Sequence, residues 1–122
     1  MQKVKSSQID IEKIKFEIIE RLKPLNPNKI ILFGSYAYGT PNSESDIDLF
    51  LLKDELALDN IRAYSKEARK LIRDLIYKYQ IGFDILSAST EEIMAREDYF
   101  YKVDILQNGR VLYEQNNSQR VA

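Results

Sequence analysis

The chain contains neither cysteine nor histidine. The first absence removes disulfides and thiolate metal sites, and makes a cytoplasmic protein the default expectation. The second removes any Ser-His-Asp or Cys-His relay and any imidazole zinc site. A metal must then sit on oxygen ligands, which suits Mg²⁺, Mn²⁺ or Ca²⁺. Glycine and proline are scarce, at 4 and 3 residues, so no low-complexity or collagen-like reading survives. The longest apolar runs, such as Ile30–Phe33 and Leu49–Leu52, are far too short to span a bilayer. The first twenty residues lack the apolar core of a secretory signal. A formal net charge of −1 and a pI near 5.5 argue against a nucleic-acid partner, which needs a basic surface. They leave a nucleotide open, because a local metal supplies positive charge.

What is there fits one compact domain: 122 residues, 44% hydrophobic and 30% charged. Residues 1–6 read as a loose start, and Ser7 with Asp10 as a capping box. Ile11, Ile14, Ile18 and Leu22 then follow helical spacing until Pro24 and Pro27 end the helix. Lys29–Phe33 reads as a buried strand, followed by Gly34 and a single helical turn over Ser35–Tyr38. Gly39–Ser45 is loop by composition, and Asp46–Leu52 is a second strand. A long helix is expected from about Asp59 to Tyr79, with Ile61, Tyr64, Ala68, Leu71, Leu75 and Ile76 as its apolar stripe. Ile81–Leu86 reads as a third strand, and Ser89 with Glu92 caps a short helix. A further helix near Asp98–Gln107 ends at Gly109 as C-cap, and Arg110–Tyr113 forms an edge strand. The pattern is one alternating α/β domain over residues 1–114, with a polar tail from 115 to 122.

Three features carry chemistry. Gly34-Ser35 stands between a strand and a helical turn, where glycine admits a phosphate to the backbone and free N–H groups point at it. Taken alone, such a pair is more often a plain turn. Asp46 and Asp48 are two residues apart on a strand, so both carboxylates face one way, with Ile47, Leu49 and Leu51 opposite. Two such charges ~5 Å apart repel by about 3 kcal/mol at an effective dielectric near 20, and a divalent cation between them reverses the sign. A bare Asp-x-Asp is also a common solvated strand end. Asp84 falls inside an apolar strand, on one face with Gly82 and Leu86, where a buried carboxylate is costly unless paired, protonated or bound to metal. A structural aspartate there is as good a reading as a catalytic one.

The spacing unites them. Ten residues separate Ser35 from Asp46, so the loop can return the phosphate cradle to the carboxylate strand. Gly-Ser, ten residues, Asp-x-Asp resembles the signature of the DNA polymerase β-like nucleotidyltransferase superfamily. Gly34-Ser35-Tyr36-Ala37-Tyr38-Gly39 followed by Ser45-Asp46-Ile47-Asp48-Leu49 is similar to its minimal nucleotidyltransferase (MNT) branch. Phe83-Asp84-Ile85-Leu86 resembles that branch's third-carboxylate strand, and Asn108–Glu114 its usual ending. The likeness runs from about residue 8 to residue 114. It departs at Tyr36 and Tyr38, where many relatives carry basic residues, which implies a looser hold on a triphosphate.

The resemblance implies an α/β (α+β) polymerase β-like fold, a mixed sheet of about four strands with helices packed on it. It implies Mg²⁺-dependent nucleotidyl transfer from ATP, with two ions during turnover. Asp46, Asp48 and Asp84 would bind metal and act in catalysis, and Gly34, Ser35 and Ser45 would bind the nucleotide. Larger members add a domain that holds the acceptor, so here a partner is expected to supply it. MNT proteins pair with HEPN-type toxins as antitoxins, and the implied acceptor is a tyrosine hydroxyl on the toxin, within a hetero-oligomer. Two alternatives stand beside this: an antitoxin acting by binding alone, and a nucleotidyltransferase with a small-molecule acceptor. Tyr99, Phe100 and Tyr101 fit either a partner surface or the core. Lys66, Arg69, Lys70 and Arg73 read most simply as a solvated helix face.

Overall fold

The computed structural model describes residues 10–42 and 44–115. Helix α1 (Ile11–Leu22) starts at Asp10, whose carboxylate accepts the Glu12 N–H at 2.9 Å. Asp10 is thus the cap itself; the Ser7 half of the expected capping box lies outside the described residues. Ile11, Ile14, Ile18 and Leu22 are all buried, as their spacing requires. A 3₁₀ turn holding Pro24 follows, and Asn26 takes the left-handed conformation (φ 52°) that turns the chain into β1 (Lys29–Phe33).

The four strands are β1, β2 (Ile47–Leu52), β3 (Phe83–Ala88) and β4 (Arg110–Glu114), in the spatial order β3-β2-β1-β4. β1 is antiparallel to both β2 and β4, whereas β2 and β3 run parallel. The sheet is therefore mixed, with four strands and helices packed on it, as the resemblance implied. Ile30, Leu32, Ile47, Leu49, Leu51 and Ile85 meet α1, α3 (Ile61–Leu71) and α4 (Arg73–Tyr79) on one face. Ile31, Phe50, Leu52 and Ala88 meet α5 (Thr90–Ala95) and a π-helix (Phe100–Gln107) on the other. Burial on both faces explains the unbroken apolar run of β2.

Several boundaries differ from expectation. The long helix is two: the chain breaks at Ile72, whose N–H is shared between the Ala68 and Lys70 carbonyls. Ile72 itself is fully buried, on the side that Ala68 and Leu75 also bury. β3 begins at Phe83, two residues later than expected, and the Gly82 carbonyl accepts the Ile47 N–H at 2.9 Å as the ladder with β2 opens. The last helix is wound as π, with the Asn108 N–H reaching back five residues to Val103 at 2.8 Å. Its C-cap is Asn108, and Gly109 lies outside the left-handed region. Ser89 caps α5 as expected, accepting the Glu92 N–H at 2.9 Å. Phe100 and Tyr101 belong to an edge-to-face aromatic cluster with Phe33 and Phe50, while Tyr99 is 72% exposed.

Candidate active site

The antiparallel register sets Asp48 beside Phe33, and the parallel register sets it beside Asp84. Directly paired residues share a sheet face, so Phe33, Asp48 and Asp84 form a row across three strands. Asp46 precedes β2 by one residue and, being two positions from Asp48, adds a third carboxylate at the same end. The aromatic cluster covers the rest of this face; the carboxylates stand where that cover stops. Asp48 is half-buried, and Asp46 and Asp84 are exposed. Exposure corrects the expectation of a carboxylate enclosed in an apolar strand: Asp84 lies on an edge strand, and its face neighbour Leu86 is also exposed.

Two glycines receive these carboxylates. Gly34 has φ 77°, and a Cβ there would stand 2.1 Å from Asp48 Oδ2. At Gly82 a Cβ would stand 2.7 Å from Asp46 Oδ1. Gly34 therefore meets a conformational and a steric requirement at once. Gly82 was read only as a face neighbour of Asp84; a glycine at the mouth of a strand is the signal that marks close approach.

Electrostatics bind the three acids into one unit. Burial pushes the Asp48 carboxyl up to about 6, and the charges of Asp84 and then Asp46 add to the same direction. Among the described residues, no three acidic side chains close into a ready-made metal cage. That is compatible with a hard cation such as Mg²⁺, which keeps several waters and takes one or two carboxylates plus substrate phosphates. The oxygen-only donors, the mutual repulsion and the glycine seats fit such an ion on Asp46 and Asp48.

The turn after β1 is α2 (Ser35–Tyr38), with Gly34 as its N-cap. The Gly34 carbonyl accepts from Ala37 and Tyr38 N–H, and the Ser35 carbonyl from Thr40 N–H at 2.9 Å. Gly34 and Asp48 are thus neighbours, which places Ser35 beside the carboxylate row. Ser45 has a local task as well. Its Oγ accepts the Asn42 N–H at 2.9 Å, tying the loop that leads into Asp46. Tyr36 and Tyr38 part company: Tyr36 is core, at 5% exposure, and Tyr38 is 47% exposed. The Tyr38 hydroxyl donates to Asp104 Oδ1 at 3.3 Å. Partial burial and then the Asp104 charge raise its pKa above the ordinary phenol value.

A mixed sheet that seats paired carboxylates against a glycine-initiated turn is the architecture of a nucleotidyl-transfer domain, and sequence comparison agrees. A family profile described as "Polymerase beta, Nucleotidyltransferase" matches residues 12–118, and the chain belongs to that family. It is a nucleotidyltransferase. Putative protein adenylyltransferase MJ0604 of Methanocaldococcus jannaschii is 33% identical over 88 residues, covering 70% of this chain and 77% of that protein. Putative protein adenylyltransferase MJ1305 of the same organism is 30% identical over 88 residues, covering 72% of this chain and 59% of the relative. Among solved structures, a toxin-antitoxin crystallised with AMP-PNP aligns with a TM-score of 0.55 at 22% identity, covering 88% of this chain and 78% of that one. At that identity the likeness shows the fold. Among the described residues, no helix is long and apolar enough to cross a membrane.

Proposed function

We propose that this chain is a protein adenylyltransferase and antitoxin: it moves AMP from ATP to a tyrosine hydroxyl of a HEPN-type toxin and so neutralises it. The observation that carries the reading is the Asp48 carboxylate, seated on Gly34 and paired in register with Asp84. The adenylyltransferase names of the relatives and the nucleotide-bound toxin-antitoxin neighbour support the same direction.

In this reading Asp46 and Asp48 would hold Mg²⁺, with Asp84 completing the set on the acceptor side. The ion supplies charge neutralisation for the triphosphate and for the acceptor oxygen. Gly34 and Ser35 position the β- and γ-phosphates, and Ser45 fixes the loop that delivers Asp46. Asp84, exposed on the edge strand, takes the proton from the acceptor hydroxyl. The hydroxyl oxygen bonds to the α-phosphorus as the α–β bridging P–O bond breaks, and pyrophosphate leaves. Positioning and charge supply the rate, because the protein itself forms no covalent bond.

The test is mass spectrometry of the toxin after incubation with this protein, ATP and Mg²⁺. The mass of one or more AMP groups is expected on a tyrosine, and a phenylalanine there blocks the addition. A second reading, antitoxin action by binding alone, is favoured by one observation: α2 offers no basic side chain, Tyr36 being core and Tyr38 turned to Asp104. An unmodified toxin that is nevertheless silenced would establish it.

A further inference from the structure

Several cations among the described residues face acids, as Arg21 does Asp74 and Lys78 does Glu17, each at 2.7 Å. Of those that do not, four lie together. Lys66, Arg69 and Lys70 on α3 and Arg73 at the start of α4 make no ion pair or hydrogen bond among the described residues. Lys66, Arg69 and Lys70 share one side of α3, and Arg73 joins them across the break at Ile72, so like charges crowd and repel. Glu67 stands beside them without pairing, and Asp74 is taken by Arg21. All four are exposed, and with the apolar floor of Ile72, Ile76 and Phe83 they line a cavity of about 290 Å³.

The groove has a defined relation to the carboxylates. Phe83 opens β3, and the next residue, Asp84, points to the opposite face. Among the described residues β3 is an outer strand, paired only with β2, and its open edge separates the basic groove from the acidic site. Unpaired backbone on such an edge accepts an extended chain.

We propose that this groove docks an acidic segment of the protein that receives the nucleotide, with an apolar side chain of that segment on Ile76 and Phe83. The assignment rests on the protein-acceptor reading above. Charge complementarity selects an anionic occupant, and the neighbouring site selects among anions. A polynucleotide carries charge at every residue and would bring phosphates onto Asp46, Asp48 and Asp84. A peptide keeps its acids in the groove and presents a neutral hydroxyl across the β3 edge.

The experiment is fluorescence anisotropy on the full chain, without ATP. The probe is a short fluorescein-labelled peptide of glutamate, leucine and tyrosine, and an RNA oligonucleotide of matched length is compared. The peptide is expected to bind, to weaken with added salt, and to lose about tenfold or more in affinity in the Arg69→Glu/Arg73→Glu variant. Arg69→Gln/Arg73→Gln gives a smaller loss in the same direction and serves if charge reversal disturbs folding. ATP binding stays unchanged in both variants. No peptide binding, equal binding by the variants, or tighter binding of RNA overturns the proposal. The transferase reading is tested separately, by adding ATP and Mg²⁺ and weighing the toxin: peptide binding with no AMP on the toxin would count against that reading and leave the groove standing.

Discussion

Asp48 and Gly34 fit each other closely: the carboxylate fills the space that any side chain at residue 34 would need, 2.1 Å from its first carbon. The glycine's φ of 77° adds a second barrier to replacement. Gly34→Ala should therefore displace the Asp48 carboxylate and strain the turn. We expect a loss of about 1–2 kcal/mol in stability and at least about a hundredfold in transfer rate. Steady-state kinetics beside thermal unfolding separate the two; wild-type turnover in a folded Gly34→Ala protein would contradict the seat.

Gly82 and Asp46 give a milder case. A Cβ at residue 82 would approach Asp46 Oδ1 at 2.7 Å, but Asp46 is exposed and Gly82 is outside the positive-φ set. Gly82→Ala should leave stability within about 0.5 kcal/mol while raising the Mg²⁺ concentration needed for half-maximal activity. A magnesium titration that coincides with wild type would show that Asp46 moves freely.

The raised pKa of Asp48 has a sign that can be checked. Its folded value, about 6, lies above the ordinary 3.8, so the folded protein holds the proton more tightly than the unfolded chain. Stability without metal thus falls as pH rises from near 4 to above 6, and then levels. Asp48→Asn removes the ionisation and should be more stable than wild type above that window, by about 1 kcal/mol after allowance for solvent screening. Below it, the two should match. Mg²⁺ should raise the unfolding temperature of wild type and not of the variant. An Asp48→Asn protein less stable than wild type at pH 8 would contradict this.

Tyr36 and Tyr38 should respond oppositely to arginine. Tyr36→Arg drives a cation into the core beneath the turn, at a cost of about 3 kcal/mol or more. Tyr38→Arg keeps an exposed site near Asp104 and should fold normally. Expression and thermal melts of the pair are sufficient, and equal stability would refute the difference in burial.

Much of the site was readable in the sequence because it depends on local rules. Asp46 and Asp48 share a face by the two-residue period of a strand, and α1 buries the four apolar residues that its helical period marks. What escaped is non-local. The Gly82–Asp46 contact exists only once β2 and β3 pair, and Asp84 is exposed only because β3 is an outer strand. The break at Ile72 escaped for another reason: apolar residues at 68, 71, 72 and 75 fit one continuous helix as well as two. The π winding of Phe100–Gln107 likewise leaves no mark in residue spacing.

The central claim is that Asp46, Asp48 and Asp84 move a nucleotide to a protein hydroxyl. Parallel reactions with ATP labelled at the α- or the γ-phosphorus test it most directly. Label from the α position alone should appear on the toxin, only with Mg²⁺, and should vanish in Asp46→Asn and Asp48→Asn. Transfer of the γ label, or undiminished transfer by either variant, would contradict the account.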